Sequence, residues 1–343
     1  RGPKGSVMDR LRFGMVVING NLHRRHRKLL MPAFQKSALD VYATQIVQVT
    51  RTMLDRCKVG DVQSVDVSCR EVALAMAMRC LYGLDVSAEA HELGQLAARW
   101  VELATDPATI LLPFDLPGSK YRKVMRMGGE VLDRLHMLLR RKREMDGEQK
   151  DAMALVMNAR DEEDKPLDDD EIIAEAASLF MAGHETTAMS LTWALLLLER
   201  FPDVQEAVRG EVEMVLGKRD PEPDDLPQFV LLDRVIKESM RLLTTVPILF
   251  MRVCTEPTTV GGFALPKGAN LLLSPLATHH DPVLYPEPRR FLPDRWIDKV
   301  PVPYGYLPFG AGPRTCIGML LAERALRLIL VMILKRFRFS VPE

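Results

Sequence analysis

The sequence lacks an excess of either sign of charge. Its 343 residues include 46 Lys and Arg and 46 Asp and Glu, which gives a formal net charge of zero with neutral histidines. Proteins whose main partner is nucleic acid usually concentrate basic residues on one face. We therefore expect no nucleic acid among the partners of this chain.

The sequence also lacks a disulfide pattern and a long apolar run. The five cysteines are odd in number and contain no C-x-x-C pair, which favours free thiols in a reducing compartment. The apolar run near 191–198 is too short to cross a bilayer. These features predict a soluble, cytoplasmic protein. An anchor upstream of Arg1 is left as an alternative, because the chain does not begin with Met.

Helical periodicity dominates what is present. Apolar residues recur at helical spacing near 22–34, 38–57, 69–81, 88–103, 120–145, 152–159, 171–200, 204–216, 231–243 and 317–337. The 171–200 segment is apolar on most faces, so we predict that this helix crosses the middle of the domain. The acidic stretch at 161–170 precedes it and is predicted to supply its N-cap.

Strand signals are few and short. Alternation or β-like composition predicts strands at 62–67, 248–253, 258–260 and 270–274, whereas loop or proline-rich coil is predicted at 1–20, 107–117 and 281–308. No internal repeat or linker divides the chain. The sequence therefore predicts one mainly α domain with small β-sheets over residues 1–343.

The loop at 309–318 concentrates the chemistry. Glycines before Cys316 allow a tight turn and the close approach of a flat ligand, and Gly318 removes a side chain where the last helix begins. A thiolate at Cys316 gains from the helix N-terminus, and Arg314 offers a positive partner for an anionic ligand group. This pattern suits one thiolate on one iron rather than a four-ligand zinc cage. The alternative is that Cys316 is a small buried apolar residue, as most free cysteines are.

The loop sequence FGAGPRTCIG matches F-x-x-G-x-R-x-C-x-G at every fixed position. It resembles the haem-binding signature of the cytochrome P450 family. The resemblance implies the P450 fold, in which a long central helix and the C-terminal Cys loop plus its helix sandwich the haem. It also implies that Cys316 ligates the iron of haem b (iron protoporphyrin IX), with Phe309, Gly310 and Gly318 in the cofactor site. Relatives usually carry an N-terminal sheet segment and a C-terminal β-hairpin, and we expect this bacterial-type chain to lack both.

The predicted central helix carries the sequence AGHETT at 182–187. A glycine inside a helix costs about 1 kcal/mol relative to alanine, so Gly183 calls for a packing or ligand reason. The segment resembles the oxygen-activating motif A/G-G-x-D/E-T of the family. The resemblance implies that Ala182 and Gly183 form the O2 pocket and that Glu185 and Thr186 deliver protons. His184, at the variable position, is predicted to be structural. The alternative is that Glu185 and the threonines only satisfy a buried turn.

A Glu-x-x-Arg pair lies in the 231–243 helix, where such pairs are common and contribute little by themselves. It gains meaning from FLPDRW at 291–296, which resembles the family segment that supplies a third charge. The resemblance implies that Glu238, Arg241 and Arg295 form a buried structural network that holds the cysteine loop in place. Breaking such a network typically costs on the order of 3–5 kcal/mol.

A haem carries two propionates, so its site needs cations. His23 and Arg27 stand four residues apart on one predicted helix face and match the propionate-binding positions of the family, and Arg252 and Arg314 are further candidates. Arg252 stands one residue further from Arg241 than the usual spacing in relatives. The alternative for His23 and Arg27 is a solvated basic face.

Basic residues of the first and last long predicted helices offer a surface that could steer an acidic electron donor. They are Arg24, Arg25, Lys28, Arg324 and Arg327. Ordinary exposed charges are an equal alternative for them. The segments 246–249 and 107–117 are predicted to face the substrate.

The resemblance as a whole implies a monomeric, haem-dependent monooxygenase that activates O2 to hydroxylate or epoxidise a small, largely apolar organic substrate. Electrons come, on this interpretation, from a separate ferredoxin, flavodoxin or reductase. Two alternatives stay open. One is a peroxide-using or isomerising haem-thiolate relative, which has no need of Glu185 and Thr186. The other is a non-catalytic haem-binding protein.

Overall fold

The computed structural model describes residues 6–11, 14–84, 88–145, 149–298 and 301–341, and most of them are helical. No helix in these ranges combines the length and the apolar character needed to cross a bilayer. The α-helices are α1 Val7–Leu11, α2 Gly20–Leu30, α3 Lys36–Leu54, α4 Val65–Tyr82, α5 Ala88–Thr105, α6 Pro107–Leu111, α7 Lys120–Glu144, α8 Ala152–Asn158, α9 Asp169–Arg200, α10 Pro202–Leu216, α11 Val230–Leu242, α12 Pro275–His279 and α13 Met319–Arg336.

The β-structure of the described residues consists of two antiparallel pairs. The strands are β1 Arg252–Val253, β2 Thr258–Val260, β3 Phe263–Leu265 and β4 Asn270–Leu271, and β1 pairs with β4 while β2 pairs with β3. Gly261 and Gly262 join β2 to β3 with φ of +56° and +86°, the two successive left-handed residues that a tight hairpin favours. The predicted mainly α fold with small β-sheets is confirmed.

Helix α9 runs through the core, as its sequence predicts. The Asp168 side chain accepts the Glu171 N–H (2.8 Å) and the Glu171 side chain accepts the Asp168 N–H (3.0 Å), which closes a capping box at its start. The helix contacts α4, α11 and α13. Because it is surrounded, it buries residues on several faces and needs an apolar sequence on most of them.

The predicted strand at 62–67 is wrong. Residues 61–64 are coil and 65–67 form the first turn of α4. Val62, Val65 and Val67 are all exposed, so their spacing does not mark a buried sheet face. Asp66 places a negative charge in the first turn of α4, where it favours the helix. The segment is helical because the later turns of α4 bury many apolar side chains, and α4 packs against α9.

Two segments predicted as loop contain short helices. Helix α1 lies within 1–20, of which residues 1–5 and 12–13 fall outside the described residues, and α6 lies within 107–117. Helix α6 begins there because the Asp106 side chain accepts the Ala108 N–H (2.8 Å) and Pro107 occupies the first helical position. The predicted strands at 248–253 and 270–274 are reduced to the two residues of β1 and of β4.

Candidate active site

The cysteine loop, residues 309–318, is closed by backbone hydrogen bonds. The Cys316 N–H donates to Phe309 O (2.9 Å), and the Gly310 N–H donates to Leu307 O (3.1 Å). Gly310 and Gly312 both have φ of +69°, in the left-handed region that disfavours a side chain. Helix α13 starts directly after Gly318, so the cysteine lies just before a helix N-terminus.

Cys316 is exposed, whereas the other four cysteines are buried or half-buried. A Cβ at Gly318 would lie 3.9 Å from the Cys316 Sγ, in ordinary contact with it, so the glycine leaves the space beside the sulfur open. Protein packed around the thiol raises its pKa by desolvation, while the Gly318 N–H and the charge of Arg27 act to lower it. This exposure disfavours the alternative of a buried apolar cysteine. A metal ion bound to the sulfur would deprotonate it.

In the part of the chain that the structure describes, the Cys316 thiol belongs to no cluster of metal-binding side chains. Among the described residues no group of three or more His, Cys, Asp or Glu side chains is arranged to hold a metal ion. Cys316 therefore suits an iron whose remaining ligands come from a cofactor rather than a metal cage built by the protein.

Four basic residues from distant segments converge near the cysteine loop. The Arg27 guanidinium donates to Thr315 O (2.8 Å). Burial lowers the pKa of Arg314, and the nearby charges of Arg252 and Arg27 lower it further. Burial also lowers the pKa of His23, again with contributions from Arg314 and Arg27. No carboxylate of the described residues forms an ion pair with these arginines. An unneutralised cluster of this kind fits a dianion such as the two propionates of a haem.

Arg314 is also tied to the segment before α2. Its guanidinium donates to Met15 O (3.0 Å), to Ile18 O (2.6 Å) and to the Asn19 Oδ1 (2.6 Å). These bonds join the cysteine loop to the N-terminal part of the chain. The motif alone does not predict them, because Met15 and Ile18 contribute only backbone carbonyls.

The distal turn, residues 182–186 of α9, is open on one side. The Thr186 hydroxyl donates to Ala182 O (2.6 Å), the back-bond that threonine favours inside a helix. Ala182 is exposed. A Cβ added to Gly183 would meet no atom within 4 Å, so this glycine borders open space rather than relieving a clash.

The carboxylate of Glu185 faces α4. It forms an ion pair with Arg70, which also binds Asp66 one turn earlier on that helix (Nε to Oδ2, 3.1 Å). His184 is buried, stacks on Phe180 with ring centroids 5.5 Å apart, and its Nε2 lies 3.3 Å from Arg70 O. The structure thus places His184 in a packing position. It does not bring the Glu185 and Thr186 side chains into a hydrogen bond within the described residues.

Glu238 and Arg241 are fully buried, and Glu238 is the centre of a polar network. Arg241 donates to both of its carboxylate oxygens (2.9 and 2.8 Å), and Arg295 donates from Nε (3.3 Å). The Leu292 N–H (3.0 Å) and the Trp296 Nε1–H (2.9 Å) complete the set. Burial opposes ionisation of Glu238, but these donors prevail and lower its pKa. Trp296 ends the FLPDRW segment, but the sequence alone assigns it no role in the network, because tertiary packing brings its indole to Glu238.

His279 connects this network to the cysteine loop. Arg241 donates to His279 O (2.8 Å), and the His279 Nε2 accepts the Leu307 N–H (2.8 Å), two residues before Phe309. Burial, with the charge of Arg241, lowers the pKa of His279 to about 4. A neutral imidazole therefore fixes the backbone where the cysteine loop begins.

The segments predicted to face the substrate carry exposed apolar side chains. Ile248 is exposed in the predicted segment 246–249, with Phe250 exposed just beyond it. Leu111 at the end of α6 and Phe114 after it are exposed in the segment 107–117. Leu249 approaches the cysteine loop, since its Cδ atoms lie 3.8 and 3.9 Å from a Cβ built on Gly310. Exposed apolar side chains at the border of a site are typical of ligand contact surfaces.

Most of the predicted basic surface is paired within the chain. Arg25 binds Asp161 (2.7 Å), Lys28 binds Glu162 (2.5 Å), Arg324 binds Asp40 (2.5 Å) and Arg327 binds Asp233. Arg24 donates to the Asn21 Oδ1 (2.7 Å). These pairs favour the alternative of ordinary surface charges over a strongly basic docking face.

Comparison with known proteins places this geometry in a family. The family model described as Cytochrome P450 matches residues 4–343. Cyclooctatin synthase of Streptomyces melanosporofaciens is 33% identical over 346 residues, which cover 95% of this chain and 72% of the relative. Cyclooctat-9-en-7-ol 5-monooxygenase of the same organism is 30% identical over 348 residues, covering 98% and 75%. The solved structure of retinoic acid bound cyanobacterial CYP120A1 superposes with a TM-score of 0.84 at 25% identity, covering 94% of this chain and 73% of that one. The chain therefore belongs to the cytochrome P450 family.

Proposed function

We propose that this P450 is a haem-dependent monooxygenase that uses O2 to hydroxylate or epoxidise a small, largely apolar organic substrate. The observation that carries the proposal is the single exposed thiol of Cys316 beside an unneutralised cluster of cations. The distal turn, with its open glycine and threonine hydroxyl, supports O2 use in particular. Electrons come from a separate ferredoxin, flavodoxin or reductase.

The cofactor that fits the site is haem b. The chain has no C-x-x-C-H sequence for covalent attachment, and Cys316 would provide the thiolate that binds the haem iron. When bound, the haem iron supplies O2 binding and redox chemistry, and the thiolate adds electron density to it. His23, Arg27, Arg252 and Arg314 would hold the propionates.

The remaining residues act on protons and on the shape of the site. Phe309, Gly310 and Gly318 let the loop approach a flat cofactor, and Ala182 and Gly183 leave room for O2. Thr186 and Glu185 hold and move the protons that O2 reduction needs. The Glu185 side chain is 36% exposed, so it can exchange protons with solvent.

The names of relatives support an apolar substrate. One relative is named for a cyclooctat-9-en-7-ol and another, a human protein 30% identical over 361 residues, for ultra-long-chain fatty acids. The exposed apolar residues Ile248, Phe250 and Met251, together with those at 107–117, suit such molecules. We propose a substrate that is mostly hydrocarbon and is oxidised at a carbon held near the distal turn.

The test is the absorption spectrum of the reduced, CO-bound protein, for the wild type, Cys316→Ala and the control Cys57→Ala. We expect the red-shifted Soret band of a thiolate-bound haem in the wild type and in Cys57→Ala, and its loss in Cys316→Ala. Absence of the band from the wild type contradicts the proposal. Product formation with a ferredoxin system and O2, rather than only with added peroxide, then separates a monooxygenase from a peroxide-using relative, and no turnover with either indicates a haem carrier.

A further inference from the structure

A hydroxyl pair outside the family motif touches the distal turn. The Ser190 hydroxyl donates to Thr186 O (2.9 Å), and its oxygen lies 2.9 Å from the Thr245 Oγ1. A hydroxyl has one proton to donate. Since Ser190 uses that proton on Thr186, the Thr245 hydroxyl is the donor in the second bond. This bond crosses from the segment after α11 to the middle of α9.

The neighbouring residue, Thr244, forms its hydrogen bonds on the side of the cysteine loop rather than of α9. The Thr244 hydroxyl donates to Arg241 O (3.0 Å) and lies 3.0 Å from the His279 Nδ1. Because the His279 Nε2 accepts the Leu307 N–H, the neutral ring carries its proton on Nδ1 and donates it to Thr244. Two consecutive threonines therefore join the start of the cysteine loop to the distal turn.

The backbone of the distal turn is weakened locally, so its conformation depends on the hydrogen bond between Ser190 and Thr245. The Thr186 and Ser190 hydroxyls bond to the carbonyls of Ala182 and Thr186, each four residues earlier. Bonds of this type compete with the backbone ladder and loosen a helix. Gly183 lies in the same stretch and adds backbone freedom. The orientation of Thr186 is therefore sensitive to the group that holds Ser190.

We propose that Thr245 and Ser190 are positioning residues that set the orientation of the distal turn, and with it the Thr186 hydroxyl, relative to the cysteine loop. The inference rests on the proposed monooxygenase function and adds two residues to it. Without this bond the turn relaxes and proton delivery to the productive route becomes less selective. A larger share of O2 then takes two electrons and two protons and leaves as hydrogen peroxide, instead of placing one oxygen atom in product and one in water.

The test uses the haem-loaded protein and two readouts. These are the C–O stretching frequency of the reduced CO complex and the fraction of electron pairs released as peroxide. For Thr245→Val and Ser190→Ala we expect a shifted stretch and about a threefold rise in the peroxide fraction, the change that loss of one neutral hydrogen bond supports. The thiolate Soret band and the thermal midpoint should stay near wild type. Because both variants remove the same bond, the double variant should be no worse than Ser190→Ala.

Matched variants separate positioning from general weakening of α9. Thr245→Ser and Ser190→Thr keep the hydroxyls and should retain wild-type values. Thr192→Val removes a back-bond of the same kind, to Ala188 O (2.9 Å), and should leave both readouts unchanged. An equal shift in Thr192→Val, or wild-type readouts in the hydroxyl-free variants, overturns the positioning inference alone. A wild type without the thiolate Soret band overturns it together with the proposed function.

Discussion

The position of Glu185 is decided by a residue that the local motif does not contain. Arg70 holds the carboxylate on the α4 side of α9, and Asp66 in turn holds Arg70. The carboxylate is in contact with solvent and is adjacent in sequence to Thr186. Arg70 is therefore a candidate for controlling how often the acid is available to the distal turn. Its contribution can be measured separately from that of the acid itself.

We predict that Glu185→Gln lowers the rate of product formation by about a hundredfold, the lower range for removal of a positioned proton donor. Arg70→Gln keeps the Glu185 carboxylate but removes the ion pair that fixes its position. This variant should lower the rate by about tenfold or less. The double variant should resemble Glu185→Gln, because the arginine acts through the carboxylate. Product rates and haem content of the three variants provide the measurement.

The control for this prediction is Asp66→Asn, which removes the other partner of Arg70 and leaves the Glu185 pair. It should keep most of the wild-type rate. If the rate of the double variant falls by the product of the two single effects, Arg70 and Glu185 act independently, and the shared role is contradicted.

His279 makes stability depend on pH. Its folded-state pKa of about 4 lies below the ordinary value of 6.5, so between these values the unfolded chain binds a proton that the folded chain excludes. The stability contribution is complete above about pH 6.5 and is lost as the pH falls toward 4. The full difference is on the order of 3 kcal/mol.

We predict that His279→Gln removes most of this acid-side slope. Glutamine can accept the Leu307 N–H and donate to Thr244, but it does not titrate. Urea unfolding at several pH values between 4.5 and 7 gives the slope, and the exposed residue His91, changed to Gln, is the control. An unchanged slope in His279→Gln means that other groups dominate acid unfolding.

Helix α11 carries Glu238 and Arg241, yet its start is capped by another helix. Residue Phe229 provides no side-chain cap, and the Glu211 carboxylate of α10 accepts the N–H groups of Leu231 (2.7 Å) and Leu232 (3.0 Å). A carboxylate at a helix N-terminus accepts hydrogen bonds from backbone N–H groups that have no partner within the helix, and its negative charge interacts favourably with the helix dipole. The helix that carries Glu238 and Arg241 therefore depends partly on a residue of the preceding helix, α10.

We predict that Glu211→Ala lowers the free energy of unfolding by about 1–2 kcal/mol, the usual effect of removing an N-cap. The exposed neighbour Glu213, changed to Ala, should have little effect and serves as the control. Chemical denaturation of both variants provides the measurement. Equal stability of the two variants contradicts the capping role.

Elements with a strong local signal were predictable from the sequence, and those decided by contacts were not. The long amphipathic or apolar repeats of α3, α7 and α9 act over many turns, so their periodicity is clear. The segment at 62–67 has only six residues, and its valines are exposed, so its alternating pattern does not mark a buried sheet face. Helix α6 depends on one cap at Asp106, a signal too short to stand out in a proline-containing stretch. The bonds of Trp296 to Glu238 and of Arg70 to Glu185 were not predicted, because each pair lies far apart in sequence.

The cluster of basic residues near the cysteine loop is a property of the whole molecule. His23 and Arg27 come from α2, Arg252 from β1, and Arg314 from the loop before α13, so the complete fold is needed to bring them together. Like charges at close range repel, and this arrangement costs free energy unless an anion binds. Binding of the anionic propionates of the proposed cofactor would therefore relieve this repulsion.

This argument predicts effects of opposite sign for one substitution. Arg252→Gln should raise the stability of the haem-free protein by on the order of 0.5 kcal/mol, since it removes repulsion among exposed or half-buried charges. The same change should make haem loss at least about tenfold faster, because a charge-assisted bond to a propionate is worth about 1.5–3 kcal/mol. Urea unfolding of haem-free protein and transfer of haem to an acceptor protein measure the two effects. Arg289→Gln, at an exposed position of the connection before the cysteine loop, should change neither. If Arg252→Gln lowers stability with and without haem alike, the arginine supports the local fold instead, through its bond to Phe250 O (3.1 Å).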